Sequence, residues 1–188
     1  MLVLRRAPGM GWMLPLAPGE LRAVFAVMQE ATGLAGCTVE LDLVGDEEIA
    51  RLNAAHLGCT GPTNILSFPA EDGAPVPSVL PENGAPVPSV LPENGGPEDR
   101  DDAAEAWPDA RPGDGPDEGG PCHLGWLVLS LDTWRRECQL YGQEPVEHAL
   151  RLLAHGLGHL AGYDHGPEMD AFTDAAQDAG LAVAAARD

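Results

Sequence analysis

The spacing of apolar and polar positions divides the chain into helical and extended stretches. Leu21, Val24, Phe25 and Met28 recur at helical spacing, whereas residues 37–44 alternate between apolar and polar side chains, as a half-buried strand does. The predicted helices are 18–31, one that begins at Asp46, one that follows a cap at Asp132 and runs to about 141, one that begins at Glu144, and a marginal one at 168–179. The predicted strands are 1–6, 37–44, 64–68 and 124–131.

Residues 71–121 interrupt this pattern. Residues 73–83 are repeated without change at 84–94, and an acidic stretch rich in glycine and proline follows. Prolines at this density remove backbone donors, and few bulky apolar residues are present to offset the entropy of ordering. We therefore predict a single domain formed by 1–70 and 122–188, with 71–121 as a disordered insertion. The alternative is an acidic tether for a partner.

The charge of the chain limits its partners. The 188 residues carry a formal net charge of −20 and include no lysine. Residues 71–121 hold 13 acids and 2 arginines, a net of −11, so −9 remains elsewhere. Such acidity argues against broad electrostatic binding of nucleic acid, although more than half of it lies in the predicted insertion.

Cysteine usage and hydropathy bear on the compartment. The four cysteines, at 37, 59, 122 and 138, form no C-x-x-C pair, so we expect reduced and partly buried thiols. The sequence contains no apolar run long enough to span a membrane. In the first residues, the basic pair Arg5-Arg6 follows the apolar residues, which is the wrong order for a secretory signal. These features favour a cytoplasmic protein.

Three histidines form the most informative pattern in the chain. His155 and His159 are four residues apart and therefore share one face of the predicted helix. Gly162 can end that helix in a left-handed conformation, which would let the chain reverse and bring His165 back. Three neutral imidazoles with an open fourth position are typical of a catalytic zinc site, where zinc lowers the pKa of bound water to about 7.

Other interpretations of these histidines remain open. Metzincin proteases share the spacing but carry a glutamate base directly after the first histidine, where this chain has Gly156. Cobalt, nickel and copper also accept imidazole ligands, and the three residues can be ordinary helix and loop histidines. His148 lies about 10 Å before His155 along the helix, too far to share an ion, and we expect it to be exposed.

Two motifs resemble a known family. Residues 155–165 are similar to the signature of the YbeY family of ribosomal RNA maturation endoribonucleases, and its second motif resembles residues 62–69, Pro-Thr-Asn-Ile-Leu-Ser-Phe-Pro. The resemblance implies an α+β fold, a small mixed sheet packed with helices, with zinc held by His155, His159 and His165 on a helix and the following loop. It also implies zinc-dependent, single-strand-specific RNA cleavage, acting in 16S ribosomal RNA 3′-end maturation and ribosome quality control. The expected partners are ribosomal RNA and the small ribosomal subunit.

The chain departs from the family pattern at three positions: Leu57 stands where the family has arginine, Trp126 where it has aspartate, and Arg151 where histidine is common. Arg151 is a candidate for substrate binding because a guanidinium matches a phosphate.

Asn64 and Ser67 are further candidates for substrate binding, although both can equally satisfy backbone groups at a strand end. Asp164 is a candidate for orienting a ligand histidine, and the residues do not assign a general base. Two alternatives to the ribonuclease remain, a non-catalytic ribosome assembly factor with structural zinc and a metallohydrolase of a non-RNA substrate.

Overall fold

The computed structural model describes residues 1–70 and 122–186, which form five helices and a four-stranded mixed sheet. This confirms the α+β fold class. The predicted insertion, 71–121, lies outside the described residues. In chain order the elements are β1 (Leu2–Arg6), α1 (Pro18–Ala31), β2 (Thr38–Val44), α2 (Asp46–Leu57), β3 (Ile65–Pro69), β4 (His123–Ser130), α3 (Leu131–Tyr141), α4 (Pro145–Leu160) and α5 (Pro167–Ala185).

The sheet has the strand order β1-β2-β4-β3. The first three strands in this order are parallel, and β3 runs antiparallel to β4. Leu41 in β2 pairs with Leu4 on one side and with Leu127 on the other, which gives a continuous apolar row. The central strands are almost entirely buried, as expected for parallel strands covered by helices.

Helix α5 is longer and better packed than the marginal 168–179 helix that the sequence predicts. It packs against α1 and α4 and buries Met169, Phe172, Ala176 and Gly180. Only small side chains allow this approach, because a Cβ at Gly180 would lie 3.2 Å from side-chain atoms of both Met28 and Val24. A scarcity of large apolar residues therefore marks a close helix contact here and does not mark weak packing.

Ser130, and not the predicted Asp132, caps helix α3. Its Oγ accepts a hydrogen bond from the Thr133 amide at 3.2 Å, and the helix begins at Leu131. Asp132 instead accepts a hydrogen bond from the Asp46 amide at 3.3 Å. Both residue types cap helices well, so the sequence alone does not separate them.

The carboxylate of Asp46 joins the start of α2 to the start of α3. It accepts hydrogen bonds from Ser130 Oγ at 2.8 Å, from Thr133 Oγ1 at 2.7 Å and from Arg136 Nη1 at 2.7 Å. Burial raises the pKa of Asp46, but these hydrogen bonds and the charge of Arg136 outweigh that effect, so the pKa lies below its usual 3.8. The folded protein therefore stabilises the ionised carboxylate.

Gly125 lets β3 and β4 pair closely at their ends. Its φ is +126°, and a Cβ at this position would overlap the carbonyl oxygen of Phe68 and lie 2.7 Å from the Ala70 amide nitrogen. That amide donates to the carbonyl oxygen of Leu124 at 2.9 Å. A residue with a side chain would therefore strain its own backbone and separate the two strands.

Two of the four cysteines are paired, contrary to the expectation of reduced thiols. Cys37 and Cys122 form a disulfide beside the first residues of β2 and β4, while Cys59 and Cys138 are free. The pairing follows from topology, because these strands become neighbours only in the folded sheet. Among the described residues, no helix has the length and apolar character needed to cross a membrane.

Candidate metal centre

Helix α4 places His155 and His159 one turn apart on the same face. Their Nε2 atoms are 3.2 Å apart. The ring of His165 lies with its centroid 5.3 Å from that of His155 and 4.8 Å from that of His159. One possible ligand atom from each of the three histidines lies within 4.8 Å of the others, close enough for all three to hold one ion.

The turn after α4 brings His165 back. The helix ends at Leu160, and Gly162 adopts the left-handed conformation that the sequence predicts for a glycine after a helix, with a φ of +86°. The Tyr163 amide donates to the carbonyl oxygen of Gly158 at 3.1 Å, and the Tyr163 ring packs on Phe172 with centroids 5.0 Å apart. The reversal is therefore fixed by backbone bonds and by an aromatic contact with α5.

The same turn orients His159. Its Nδ1 donates a hydrogen bond to the carbonyl oxygen of Tyr163 at 3.0 Å, which leaves the Nε2 lone pair directed towards His155. The Tyr163 carbonyl therefore orients His159, and Asp164, the candidate orienting residue, is exposed. A ring nitrogen held by a backbone carbonyl is a common arrangement behind metal-ligating histidines.

The surroundings of His155 favour its neutral form. Burial lowers the pKa of His155 below its usual 6.5, and the nearby His159, His165 and Arg151 lower it further. Two unprotonated Nε2 atoms at 3.2 Å repel one another unless a cation or proton lies between them. The donor set, three half-buried or exposed imidazoles, therefore fits a metal ion with an open position.

Gly156 lies on the face of α4 that packs against the sheet. A Cβ at this position would be 2.7 Å from Leu127 Cδ2 and 3.0 Å from Ile65 Cδ1, and the Gly156 carbonyl accepts a hydrogen bond from Ser67 Oγ at 3.3 Å. A glutamate here, as in the metzincins, would have to enter this packed contact. The position therefore serves helix–sheet packing, which weighs against a peptidase of that type.

A cavity of about 610 Å³ opens beside His155. Two of the three predicted substrate contacts, Asn64 and Arg151, line it, whereas Ser67 bonds to the backbone of α4. Helix α5 also contributes to the lining of the cavity, and the sequence prediction missed this contribution. In the sequence, only the spacing of polar residues along one face of this helix indicated such a contribution. The lining residues on α5 are Asp170, Thr173, Asp174 and Gln177.

His148 is buried, with 3% of its surface exposed, contrary to the prediction of an exposed residue. Its Nε2 lies 2.8 Å from Glu137 Oε2, and its Nδ1 lies 3.0 Å from Arg151 Nη2. His148 is buried because α3 packs against α4 and covers this face of the helix.

The remaining departures from the family pattern lie elsewhere in the fold. Leu57, at the end of α2, is 61% exposed. The neighbouring His56 packs its ring on Phe68, with centroids 5.1 Å apart. Trp126 is buried in β4, where its ring contacts that of His123 at 5.6 Å.

Known proteins resemble the chain over most of its length. Residues 19–178 match the family model described as Endoribonuclease YbeY. Proteins named Endoribonuclease YbeY from Nitratidesulfovibrio vulgaris and Oleidesulfovibrio alaskensis are 49% and 41% identical, over 94% and 99% of this chain and 92% and 96% of their own. A Thermotoga maritima protein solved in solution shares the fold, with a TM-score of 0.53 at 17% identity, over 99% of this chain and 93% of its own. The chain belongs to the YbeY endoribonuclease family.

Proposed function

We propose that the protein is a zinc-dependent, single-strand-specific endoribonuclease that acts in the cytoplasm on the small ribosomal subunit, in 16S ribosomal RNA 3′-end maturation and ribosome quality control. The observation that carries this proposal is the convergence of His155, His159 and His165 beside a cavity that contains a guanidinium. The relatives named Endoribonuclease YbeY support RNA as the substrate.

In this proposal the three histidines hold the zinc ion through their ring nitrogens. When bound, zinc supplies Lewis-acid stabilisation of charge on a phosphate oxygen and lowers the pKa of a bound water to about 7. The Tyr163 carbonyl keeps the Nε2 atom of His159 free to act as a ligand, and the pKa of His155, lowered by burial, reduces competition by a proton.

The cavity supports the proposed preference for single strands. Arg151 offers a guanidinium to a backbone phosphate, and Asn64 also lines the cavity. RNA-binding proteins usually read single strands through bases that have left the stack, and a cavity between two helices can accept one such nucleotide. A duplex would have to lose pairing before it could enter. Asp164, exposed next to His165, stays a proposed orienting group for that ligand.

The test is cleavage of immature small ribosomal subunits by the purified, zinc-loaded protein, together with matched single-stranded and duplex RNAs. His159→Ala removes a ligand and should abolish cleavage and lower the bound zinc content. His123→Ala is the matched control, because His123 lies at the start of β4 and takes no part in the histidine cluster. Cleavage by His159→Ala at the wild-type rate would rule out the metal mechanism.

A ribosome assembly factor with structural zinc is the second candidate. It is favoured by one observation, the exposed Leu57 at the position where the family resemblance leads us to expect arginine. In that case wild type binds zinc but cleaves nothing, and His159→Ala chiefly lowers the free energy of unfolding. Cleavage and zinc content, measured on the same two proteins, separate the candidates.

A further inference from the structure

A buried histidine and a partly buried glutamate form a pair next to residues that line the cavity. The side chain of His148 in α4 is 2% exposed and that of Glu137 in α3 is 23% exposed, and 2.8 Å separates Nε2 from Oε2. Neither residue is one of the three clustered histidines, and neither lines the cavity. Removing such a polar pair from water is costly unless each of its polar atoms has a hydrogen-bond partner.

The hydrogen-bond partners fix the proton on His148. Arg151 Nη2 can only donate, so the Nδ1 of His148, 3.0 Å away, must accept. The proton of the neutral ring is then on Nε2, which donates to Glu137. Hydrogen-bond donation therefore runs in one direction, from the guanidinium of Arg151 through His148 to the carboxylate of Glu137.

The carboxylate of Glu137 also contacts Asn64, the other predicted substrate contact that lines the cavity. Asn64 Nδ2 lies 3.2 and 3.3 Å from the two oxygens of Glu137, and Asn64 Oδ1 accepts from the Ile65 amide at 2.8 Å. Glu137 thus connects to both Asn64 and Arg151, which are the two predicted substrate contacts in the cavity. Gln143 Oε1 accepts a further hydrogen bond from Arg151 Nη2 at 3.1 Å.

We propose that Glu137 and His148 are positioning residues that hold Arg151 in place for a phosphate of single-stranded RNA in the cavity beside His155. This inference rests on the proposed function. An arginine side chain loses much rotamer freedom when it binds, and one that is already held by His148 and Gln143 loses less. Both contacts use Nη2 of Arg151, so its Nη1 and Nε can then meet the phosphate.

The experiment measures the binding of a 2′-O-methyl single-stranded RNA, which resists cleavage, to the zinc-loaded full chain by fluorescence anisotropy. Arg151→Ala should weaken binding about tenfold, the scale of one charge-assisted hydrogen bond. His148→Leu should weaken it several-fold. His148→Gln is the conservative variant, because its amide can accept from Arg151 and donate to Glu137, and it should restore most of the affinity.

A double-mutant cycle separates positioning from general stability. If His148 acts through Arg151, the double variant His148→Leu/Arg151→Ala binds no more weakly than Arg151→Ala alone. Urea denaturation of each variant measures the stability that is lost and shows that every protein is folded under the conditions of the binding assay. If His148→Leu does not fold, Glu137→Ala takes its place in the cycle, because its side chain is partly exposed.

The outcomes of this inference and of the proposed function are distinct. Additive losses in the cycle, wild-type binding by His148→Leu, or an absence of oligonucleotide binding by wild type each overturn the positioning role. If wild type cleaves RNA while the losses are additive, the ribonuclease stands and the positioning role fails. If wild type binds with non-additive losses but never cleaves, the positioning role stands and the ribonuclease fails.

Discussion

Replacement of Gly125 by alanine should be far more harmful than replacement of another glycine with positive φ. Gly125 and Gly142 both have positive φ, +126° and +63°, which side chains disfavour. At Gly142, no atom of the described residues lies within 4 Å of the point that a Cβ would occupy, whereas at Gly125 the backbone of β3 fills that space. Both substitutions therefore carry a conformational penalty, the larger one at Gly125, and only Gly125→Ala adds a clash with backbone atoms.

The structure gives the size of each effect. Gly142→Ala should cost about 1–2 kcal/mol, the penalty of a left-handed conformation for alanine. Gly125→Ala carries at least that penalty and must also move the backbone of β3, because the contacts are with Phe68, Pro69 and Ala70 backbone atoms and not with a flexible side chain. Loss of the end pairing and of the Ala70–Leu124 hydrogen bond should bring the total to about 3–5 kcal/mol.

Urea denaturation followed by tryptophan fluorescence measures both variants, since Trp126 and Trp134 are buried near this sheet and its following helix. The denaturation midpoint of Gly125→Ala should fall well below that of Gly142→Ala. Equal losses for the two variants would refute the backbone-clash argument, since only the shared conformational penalty would then be acting.

Two further predictions concern the framework around the sheet. Asp46→Ala should lower the free energy of unfolding by about 2–3 kcal/mol at pH 7, because three hydrogen bonds are lost, one of them from Arg136. The pKa of Asp46 is lowered in the folded protein, so its stabilisation is full above 3.8 and is lost as pH falls through the folded pKa; urea denaturation across that pH range should show the two proteins converging. Reduction of the Cys37–Cys122 bond should cost about 2–4 kcal/mol, measured as a lower melting temperature with dithiothreitol in wild type and no change in Cys37→Ser; an unchanged wild-type melting temperature would contradict it.

Local patterns predicted the helices, the strands and the histidine cluster well. His155 and His159 are related by one helical turn, and the left-handed turn at Gly162 needs only the conformational freedom of glycine, so residues close in sequence carry the information. The apolar alternation of β2 is likewise visible without knowledge of its partners. Such features depend on spacing along the chain.

The missed features depend on contacts between elements that are distant in sequence. The burial of His148 needs α3 to lie against α4, and the Cys37–Cys122 bond needs β2 beside β4. The choice of Ser130 over Asp132 as a cap depends on where the strand ends, and the cavity wall from α5 depends on the turn after α4. The resemblance to a family gave the fold class but did not reveal these pairings.

The antiparallel pairing of β3 with β4 makes the connection between these two strands a suitable place to insert a different sequence. Pro69 pairs with Gly125, so the strand ends on either side of residues 71–121 are neighbours that a short hairpin turn could join. The entropy of closing a loop grows only with the logarithm of its length, so shortening about fifty residues to about four changes it by about 2 kcal/mol. An engineer could therefore replace this stretch with a compact turn, a fluorescent reporter or an affinity tag while keeping the register of the sheet and the histidine cluster beyond it.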